Sequence, residues 1–167
     1  MRMLTFSLLV LVYFAGGSAR AQPLPASCRF AALRTMDKLQ PALANAAVGA
    51  MKLAASGASD AQLSDLITAD AKFSDVVGDV GMPLGIGGAG ARAMAKSMAA
   101  DSFRYLNWDY IPYEVDPCAE REVSVEFLTA AKAQVTAVRF VFSGGKIVSA
   151  QGSLRTFVTG PMPPAPR

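Results

Sequence analysis

The polar side chains best placed for chemistry lie in one aromatic stretch, residues 103–113. Alternation at a period of two puts Tyr105, Asn107 and Asp109 on one face of a strand and Trp108 on the other. If the first face is turned inward, its polar groups would orient a ligand. If the second face is turned inward, it would form an aromatic wall and leave the first for a dimer interface. Aromatic pairs that only stabilise a sheet would show the same pattern, so all three interpretations stay open.

Histidine is absent from the chain, which narrows the possible chemistry. Ser-His-Asp and Cys-His catalysis in their usual forms, and HExxH zinc sites, all require histidine. Acid–base chemistry would therefore have to use Asp, Glu, Lys, Tyr or Cys. No acidic cluster has the spacing of metal ligands, and we expect neither a metal nor another cofactor.

A glycine-rich stretch over residues 85–90, GIGGAG, matches the dinucleotide-binding pattern GxGxxG letter by letter. In that motif a buried parallel strand runs directly into the first glycine. Here Pro83 precedes the glycines, and proline is excluded from central strands. The sequence therefore predicts a loop over 78–90 at the rim of a sheet, and no nucleotide site.

The first 21 residues have the features of a cleaved secretory signal peptide. A weakly basic start precedes the apolar run 4–15, which is too short to span a bilayer, and Ala19-Arg20-Ala21 fits a small-x-small cleavage site. Cleavage before Gln22 predicts an exported protein, periplasmic or secreted, with no stable membrane insertion afterwards. Residues 22–158 then form a single domain, and residues 159–167 a proline-rich flexible tail.

The charge of the mature chain is nearly balanced. Arg2 and Arg20 belong to the signal peptide, and the remainder carries 14 basic and 13 acidic residues. No basic stripe with interleaved aromatic residues is present, so we expect no nucleic acid among the partners.

Two cysteines, Cys28 and Cys118, remain in the mature chain. In an exported protein such a pair is most simply a disulfide, which here would tie the N-terminal region to the start of the sheet. Two separate buried thiols are the alternative.

Apolar and polar residues alternate in four stretches, which predicts an antiparallel sheet with one face buried. The last three stretches are separated by tight turns and form a meander. The four predicted strands are Phe103–Val115, Glu122–Thr129, Gln134–Ser143 and Lys146–Val158. In the third strand, the predicted inward face carries Thr136, Val138, Phe140 and Phe142.

The region upstream of the sheet reads mainly as helices. Apolar spacing predicts helices over 28–39 and 42–55, separated at Pro41, and another over 91–100. A capping box beginning at Ser59 opens a further short helix, and alternation over 71–77 predicts a strand. The expected class is α+β, with three to four N-terminal and intervening helices packed against one face of a curved antiparallel β-sheet.

Two segments, LITADAKFSD over 66–75 and RFVFSGGKIVS over 139–149, resemble the nuclear transport factor 2-like superfamily. Its ketosteroid isomerase and SnoaL-type polyketide cyclase branches are the nearest. The resemblance extends over about residues 31–157 and concerns architecture, with no tight catalytic motif. It implies a cone-shaped curved sheet closed by helices around an apolar pocket, and often a homodimer formed through the outer sheet face.

The resemblance carries over functional residues only in part. Asp75 falls where the isomerases have their general-base aspartate. Met51 and Val138 fall where the isomerases have the tyrosine and protonated aspartate of the oxyanion hole, and neither can donate a hydrogen bond, so steroid isomerase chemistry is not expected. The residues expected to line a ligand pocket are Phe73, Tyr105, Asn107, Asp109, Val138 and Phe140.

Three functions remain open at this stage. The first is a binding module that holds a small hydrophobic molecule or serves as a dimeric scaffold. The second is a cofactor-free isomerase, cyclase or dehydratase in which Asp75 is the general base. The third is an adaptor recognised through its outer sheet face, which would require an apolar outer patch.

Overall fold

The computed structural model describes residues 28–77, 80–105 and 112–156. The predicted signal peptide, the predicted tail and the candidates Asn107 and Asp109 lie outside these residues. Within them, no helix is long and apolar enough to cross a membrane.

The described chain forms three α-helices and six strands, with the two classes segregated into layers. The helices are α1 (Met36–Ala55), α2 (Asp60–Leu63) and α3 (Gly87–Met98). The strands are β1 (Ile67–Val77), β2 (Val80–Ile86), β3 (Ser102–Tyr105), β4 (Arg121–Thr129), β5 (Gln134–Ser143) and β6 (Lys146–Thr156). The α+β class is confirmed.

The six strands form one sheet in the order β2-β1-β6-β5-β4-β3. The meander β4-β5-β6 is antiparallel, as predicted, and β2 and β3 pair antiparallel at the two edges. The expectation of a purely antiparallel sheet is wrong at one place, because β1 runs parallel to β6. The sheet is therefore mixed. Alternation shows which side chains share a face, but it carries no information about the direction of the neighbouring strand.

One face of the sheet, called here the inner face, is covered by α1 and α3. Alternate residues of each central strand point into this layer and form a single core with the helices. The inner-face core includes Phe73, Val123, Val125, Phe127, Val138, Phe140, Phe142 and Ile147. The opposite, outer face carries charged and polar residues along β4, β5 and β6.

Helix α1 continues through Pro41, contrary to the predicted break. Proline removes one backbone hydrogen bond and crowds the preceding turn, at a cost of about 3 kcal/mol in a helix interior. Pro41 lies only five residues after the first residue of α1. The helix also buries a long apolar stripe that includes Leu39, Leu43 and Met51. Burial of this stripe offsets the local cost. Over residues 28–35 the chain forms turns and irregular structure instead of the first part of the predicted helix.

The loop predicted over 78–90 is wrong, because most of it is the edge strand β2 and the first turn of α3. Pro83 is tolerated because β2 pairs on one side only. The glycines allow two backbones to touch. A Cβ on Gly90 would lie 2.6 Å from the carbonyl of Gly85 and 2.9 Å from the ring of Phe73. The GxGxxG match therefore reflects close packing of α3 on the hairpin of β1 and β2.

Strand β3 is shorter than the predicted strand over 103–115 and is described only to Tyr105. Further along, Glu114 forms an isolated bridge with Thr35. The amide of Val115 donates to the carbonyl of Arg34, and the amide of Met36 donates to the carbonyl of Tyr113. This segment thus pairs with the residues that lead into α1 instead of extending the sheet.

The predicted disulfide between Cys28 and Cys118 is confirmed, with a Cα–Cα distance of 5.8 Å. It lies beside the turn between β5 and β6, where the amide of Gly144 donates to the carbonyl of Cys118. The bond therefore holds the residues before α1 against the end of the sheet.

Alanine substitutions at two helical glycines, Gly90 and Gly49, should change the free energy of unfolding in opposite directions. Gly90→Ala should lower the free energy of unfolding by about 1–3 kcal/mol, because the new methyl overlaps the backbone of Gly85. Gly49→Ala, in the exposed interior of α1 with no neighbour within 4 Å, should raise it by roughly 0.5–1 kcal/mol. Urea unfolding measures both, and equal effects of the two substitutions would contradict the packing argument.

Removal of the disulfide should destabilise the domain. The bond closes a loop with a sequence separation of 90 residues. Chain entropy then predicts that Cys28→Ser with Cys118→Ser lowers the free energy of unfolding by about 4–5 kcal/mol. Unfolding of the oxidised and reduced wild type provides a control without mutation. A midpoint insensitive to reductant would contradict this prediction.

Candidate functional site

Asp75 lies on the inner face near the end of β1, two residues beyond the buried Phe73. Its side chain is half-buried. The hydroxyl of Ser97, in the last turn of α3, donates to Asp75 Oδ2 over 3.0 Å. The same hydroxyl lies 3.1 Å from the carbonyl of Met94, but its single proton favours the charged acceptor. The contact joins the last turn of α3 to the sheet.

Gly152 on β6 makes room for this carboxylate. A Cβ at Gly152 would overlap Asp75 Oδ1 and would contact Thr136 Cγ2 at 3.4 Å. Asp75, Gly152 and Thr136 belong to the neighbouring strands β1, β6 and β5, so the carboxylate lies flat over the sheet. Glycine is required here by the side chain opposite, since this position has no left-handed φ.

Three predicted ligand residues are part of the closed core. Phe73, Val138 and Phe140 are each at most 1% exposed. The ring of Phe140 packs edge to face on Phe127, with centroids 6.2 Å apart. Met51 is also buried in this core. The inner face is therefore filled by side chains in its central part.

Tyr105 is half-buried on β3, and its hydroxyl donates to Gln40 Oε1 on α1 over 2.8 Å. Strands β1 and β3 are separated by three others, a distance of about 19 Å along the sheet at the usual strand spacing. The structure therefore does not bring Tyr105 beside Asp75.

An apolar pocket opens where α1 and α3 both end, and it is called here the α1–α3 pocket. Its volume is about 300 Å³. Its floor consists of buried side chains, Val48, Met51, Ala95, Met98 and Phe127. Its mouth is formed by Lys52, Ala55, Ala99, Ala100, Asp101, Ser102 and Phe103. Asp75 is not among the lining residues.

Two charged side chains stand at the mouth of the α1–α3 pocket. The ammonium of Lys52 lies 4.9 Å from the ring centroid of Phe103, in cation–π contact. The carboxylate of Asp101 accepts from the amide of Ala130 at 2.8 Å and from the hydroxyl of Ser102 at 3.0 Å. Both oxygens of Asp101 are therefore engaged by the chain itself.

The wall of the pocket is fixed by a buried hydrogen bond. The hydroxyl of Thr129, at the end of β4, donates to the carbonyl of Met98 over 2.8 Å. This bond satisfies one of the free carbonyls at the end of α3. It also holds Met98 next to Phe127 on the neighbouring part of β4.

A larger depression of about 760 Å³ lies mainly along the outer face, but its walls are polar and charged. Glu126 pairs there with Arg104 and Arg155, and Arg139 lies 3.8 Å from Glu122. These ion pairs are largely exposed and contribute little to stability. Among the described residues, no large hydrophobic side chain of β4 or β5 is exposed on this face.

Sequence reasoning missed the α1–α3 pocket. Met51 and Met98 lie on the buried sides of their helices, but the gap between them depends on how two helices meet β3 and β4. In the described part of the chain, no three His, Cys, Asp or Glu side chains are grouped as metal ligands would be.

The Asp75 arrangement predicts a coupling between two positions. Gly152→Ala should lower the free energy of unfolding by about 1–3 kcal/mol in the wild type, because its methyl displaces the carboxylate. In an Asp75→Ala background the same change should cost at least about 1 kcal/mol less. Gly81→Ala on β2, with open space around it, is the matched strand control. Equal costs in both backgrounds would show that the two residues do not touch.

Comparison with known proteins yields likenesses of structure only. No family model matches the chain, and no curated protein matches its sequence. A solved structure described as an NTF-2 like protein of unknown function from Silicibacter pomeroyi is 14% identical. That match covers 69% of this chain and 92% of the other, with a TM-score of 0.44.

Two further solved structures show the same degree of likeness. A protein of unknown function with a cystatin-like fold from Methylobium petroleophilum is 11% identical over 75% of this chain and 97% of the other, with a TM-score of 0.42. A phenazine biosynthesis-related protein from Pseudomonas aeruginosa is 13% identical over 70% and 81%, with a TM-score of 0.38. None of the three carries a conclusion about ligand, activity or partners.

Proposed function

We propose that this protein is an exported binding module that holds a small hydrophobic or amphipathic molecule in the α1–α3 pocket. The observation that supports this most is the pocket itself, which combines a buried apolar floor with polar groups only at its mouth. That arrangement is typical of small-molecule sites, and 300 Å³ lies at the lower end of their usual volumes.

The shape of the pocket floor supports a binding role. Met51 and Met98 contribute unbranched, polarizable side chains that adapt to irregular ligands. Around them, Ala55, Ala95 and Ala99 are small enough to leave the space open. The central part of the inner face, by contrast, is filled by larger side chains such as Phe73 and Phe140.

Export is supported by the disulfide, because such bonds persist in oxidising compartments. The predicted signal peptide agrees with this compartment. Homodimer formation remains part of the proposal as a scaffold role, and the charged outer face would make that interface polar.

The environment of Asp75 favours a second candidate function, in which Asp75 is the general base of a pocket enzyme. Asp75 is half-buried, and the hydroxyl of Ser97 lies within hydrogen-bond distance. Against it stand Met51, Phe140 and Phe142, which fill the inner face where a substrate would have to bind. Binding without catalysis is therefore the function that the geometry supports best.

The test uses 1-octanol as an uncharged probe and methionine methyl resonances as local reporters. Octanol should shift the methyl signals of Met51 and Met98 and leave Met36, which does not line the pocket, unchanged. Ala55→Phe at the exposed mouth should weaken binding about tenfold or more, equivalent to at least about 1.4 kcal/mol. Asn45→Phe is the control, because it adds the same ring to an exposed position of α1 that does not line the pocket.

The mass of the native protein completes this experiment. Protein produced with its first 21 residues in an oxidising compartment should begin at Gln22, and its native mass reports any bound molecule and any dimer. The binding proposal fails if octanol moves neither Met51 nor Met98, or if Ala55→Phe and Asn45→Phe bind octanol equally well.

A further inference from the structure

Lys52 places a positive charge at the mouth of the α1–α3 pocket. It lies in the last turn of α1. A cation is favourable there, because helix carbonyls carry partial negative charge at that end. The ring of Phe103 then holds the ammonium across the pocket mouth at 4.9 Å from its centroid. The charge is therefore presented to whatever enters the pocket.

The ammonium of Lys52 is still able to bind an anion. A cation–π contact uses the charge of the ammonium but not its three hydrogen-bond donors. Among the described residues no carboxylate lies within ion-pair distance of Lys52. Lys52 is exposed at the mouth, so its ammonium is accessible to an anionic group whose apolar part lies in the pocket.

Asp101 is the group that opposes an anionic ligand, since it also lines the mouth. One of its oxygens accepts from the amide of Ala130, at the start of a short 3-10 turn, and the other from the hydroxyl of Ser102. Asp101 therefore serves to hold the turn that follows β4 and the start of β3. These bonds occupy about two of the roughly four lone-pair sites of the carboxylate, which weakens Asp101 as a partner for a cationic ligand without removing its charge.

We propose that the α1–α3 pocket selects a small amphipathic carboxylate, with the apolar part between Met51, Met98 and Phe127 and the carboxylate on Lys52. This inference deepens the proposed binding function and rests on it. The ligand class is a medium-length acyl chain or a single-ring aromatic acid, because the pocket volume of about 300 Å³ admits little more.

The test compares three probes that differ only in the head group: octanoate, 1-octanol and octylammonium. At neutral pH and low salt, the wild type should bind octanoate about tenfold more tightly than octanol, equivalent to about 1.4 kcal/mol, and octylammonium most weakly. The preference for octanoate should shrink as salt is added, because salt screens the contact with Lys52. The shifts of the Met51 and Met98 methyl signals report all three affinities at the pocket itself.

Variants at position 52 separate the charge from the packing of the side chain. Lys52→Met should abolish the preference for octanoate over octanol, and Lys52→Arg should restore that preference. Lys38→Gln, exposed near the start of α1, should change neither affinity.

The possible results distinguish a failure of the carboxylate assignment from a failure of the binding function. Equal affinity for octanoate and octanol, tightest binding of octylammonium, or an unchanged preference in Lys52→Met would overturn the carboxylate assignment and leave the binding function standing. A failure of all three probes to shift Met51 and Met98 would overturn both proposals together.

Discussion

The arrangement of this domain depends on a contact between two backbones. Where the β1–β2 hairpin leads into α3, Gly85 and Gly90 approach so closely that a single methyl group would not fit between them. This contact presses the first turn of α3 onto the sheet and sets the line along which the helix crosses the inner face. At the far end of α3, Ser97 reaches Asp75 on one side, and Met98 is bonded to Thr129 on the other. One close approach thus positions both candidate sites.

The central part of the inner face is closed, and the α1–α3 pocket lies at its margin. Aromatic side chains fill the layer between helices and sheet, with Phe140 against Phe127 and Phe142 against Phe30. The α1–α3 pocket lies where these two helices end, and alanines stand among its lining residues. The polar contacts at that end, from Thr129 and Asp101, hold the surrounding turns in place without entering the apolar floor.

The inner and outer faces of the sheet differ in their contact with water. Inward residues of β4 and β5 exclude water and supply most of the stability through burial. Many outward residues at the alternate positions remain in contact with solvent, and their charges form exposed pairs such as Arg139 with Glu122. The disulfide of Cys28 joins the layers at the margin of the sheet, next to the β5–β6 turn.

The sequence by itself determined the features that depend on neighbouring residues. The meander β4-β5-β6 follows from period-two alternation and tight turns, and the capping box of Ser59 and Gln62 follows from its spacing. The disulfide follows from the number and predicted compartment of the cysteines, and histidine-based chemistry was excluded by composition. Such features need no knowledge of distant parts of the chain.

Only the tertiary structure decided the features that depend on contacts distant in the chain. The parallel pairing of β1 with β6 joins residues about eighty positions apart, and no local pattern records it. Strand β2 was missed because Pro83 and the glycines signal a loop unless a partner strand is known. Phe73 and Phe140, predicted to line a pocket, are buried in the core, and the α1–α3 pocket is lined by other residues, among them Lys52, Met98 and Phe127. A cavity is the space that packing leaves over, so its position depends on all the surrounding elements at once.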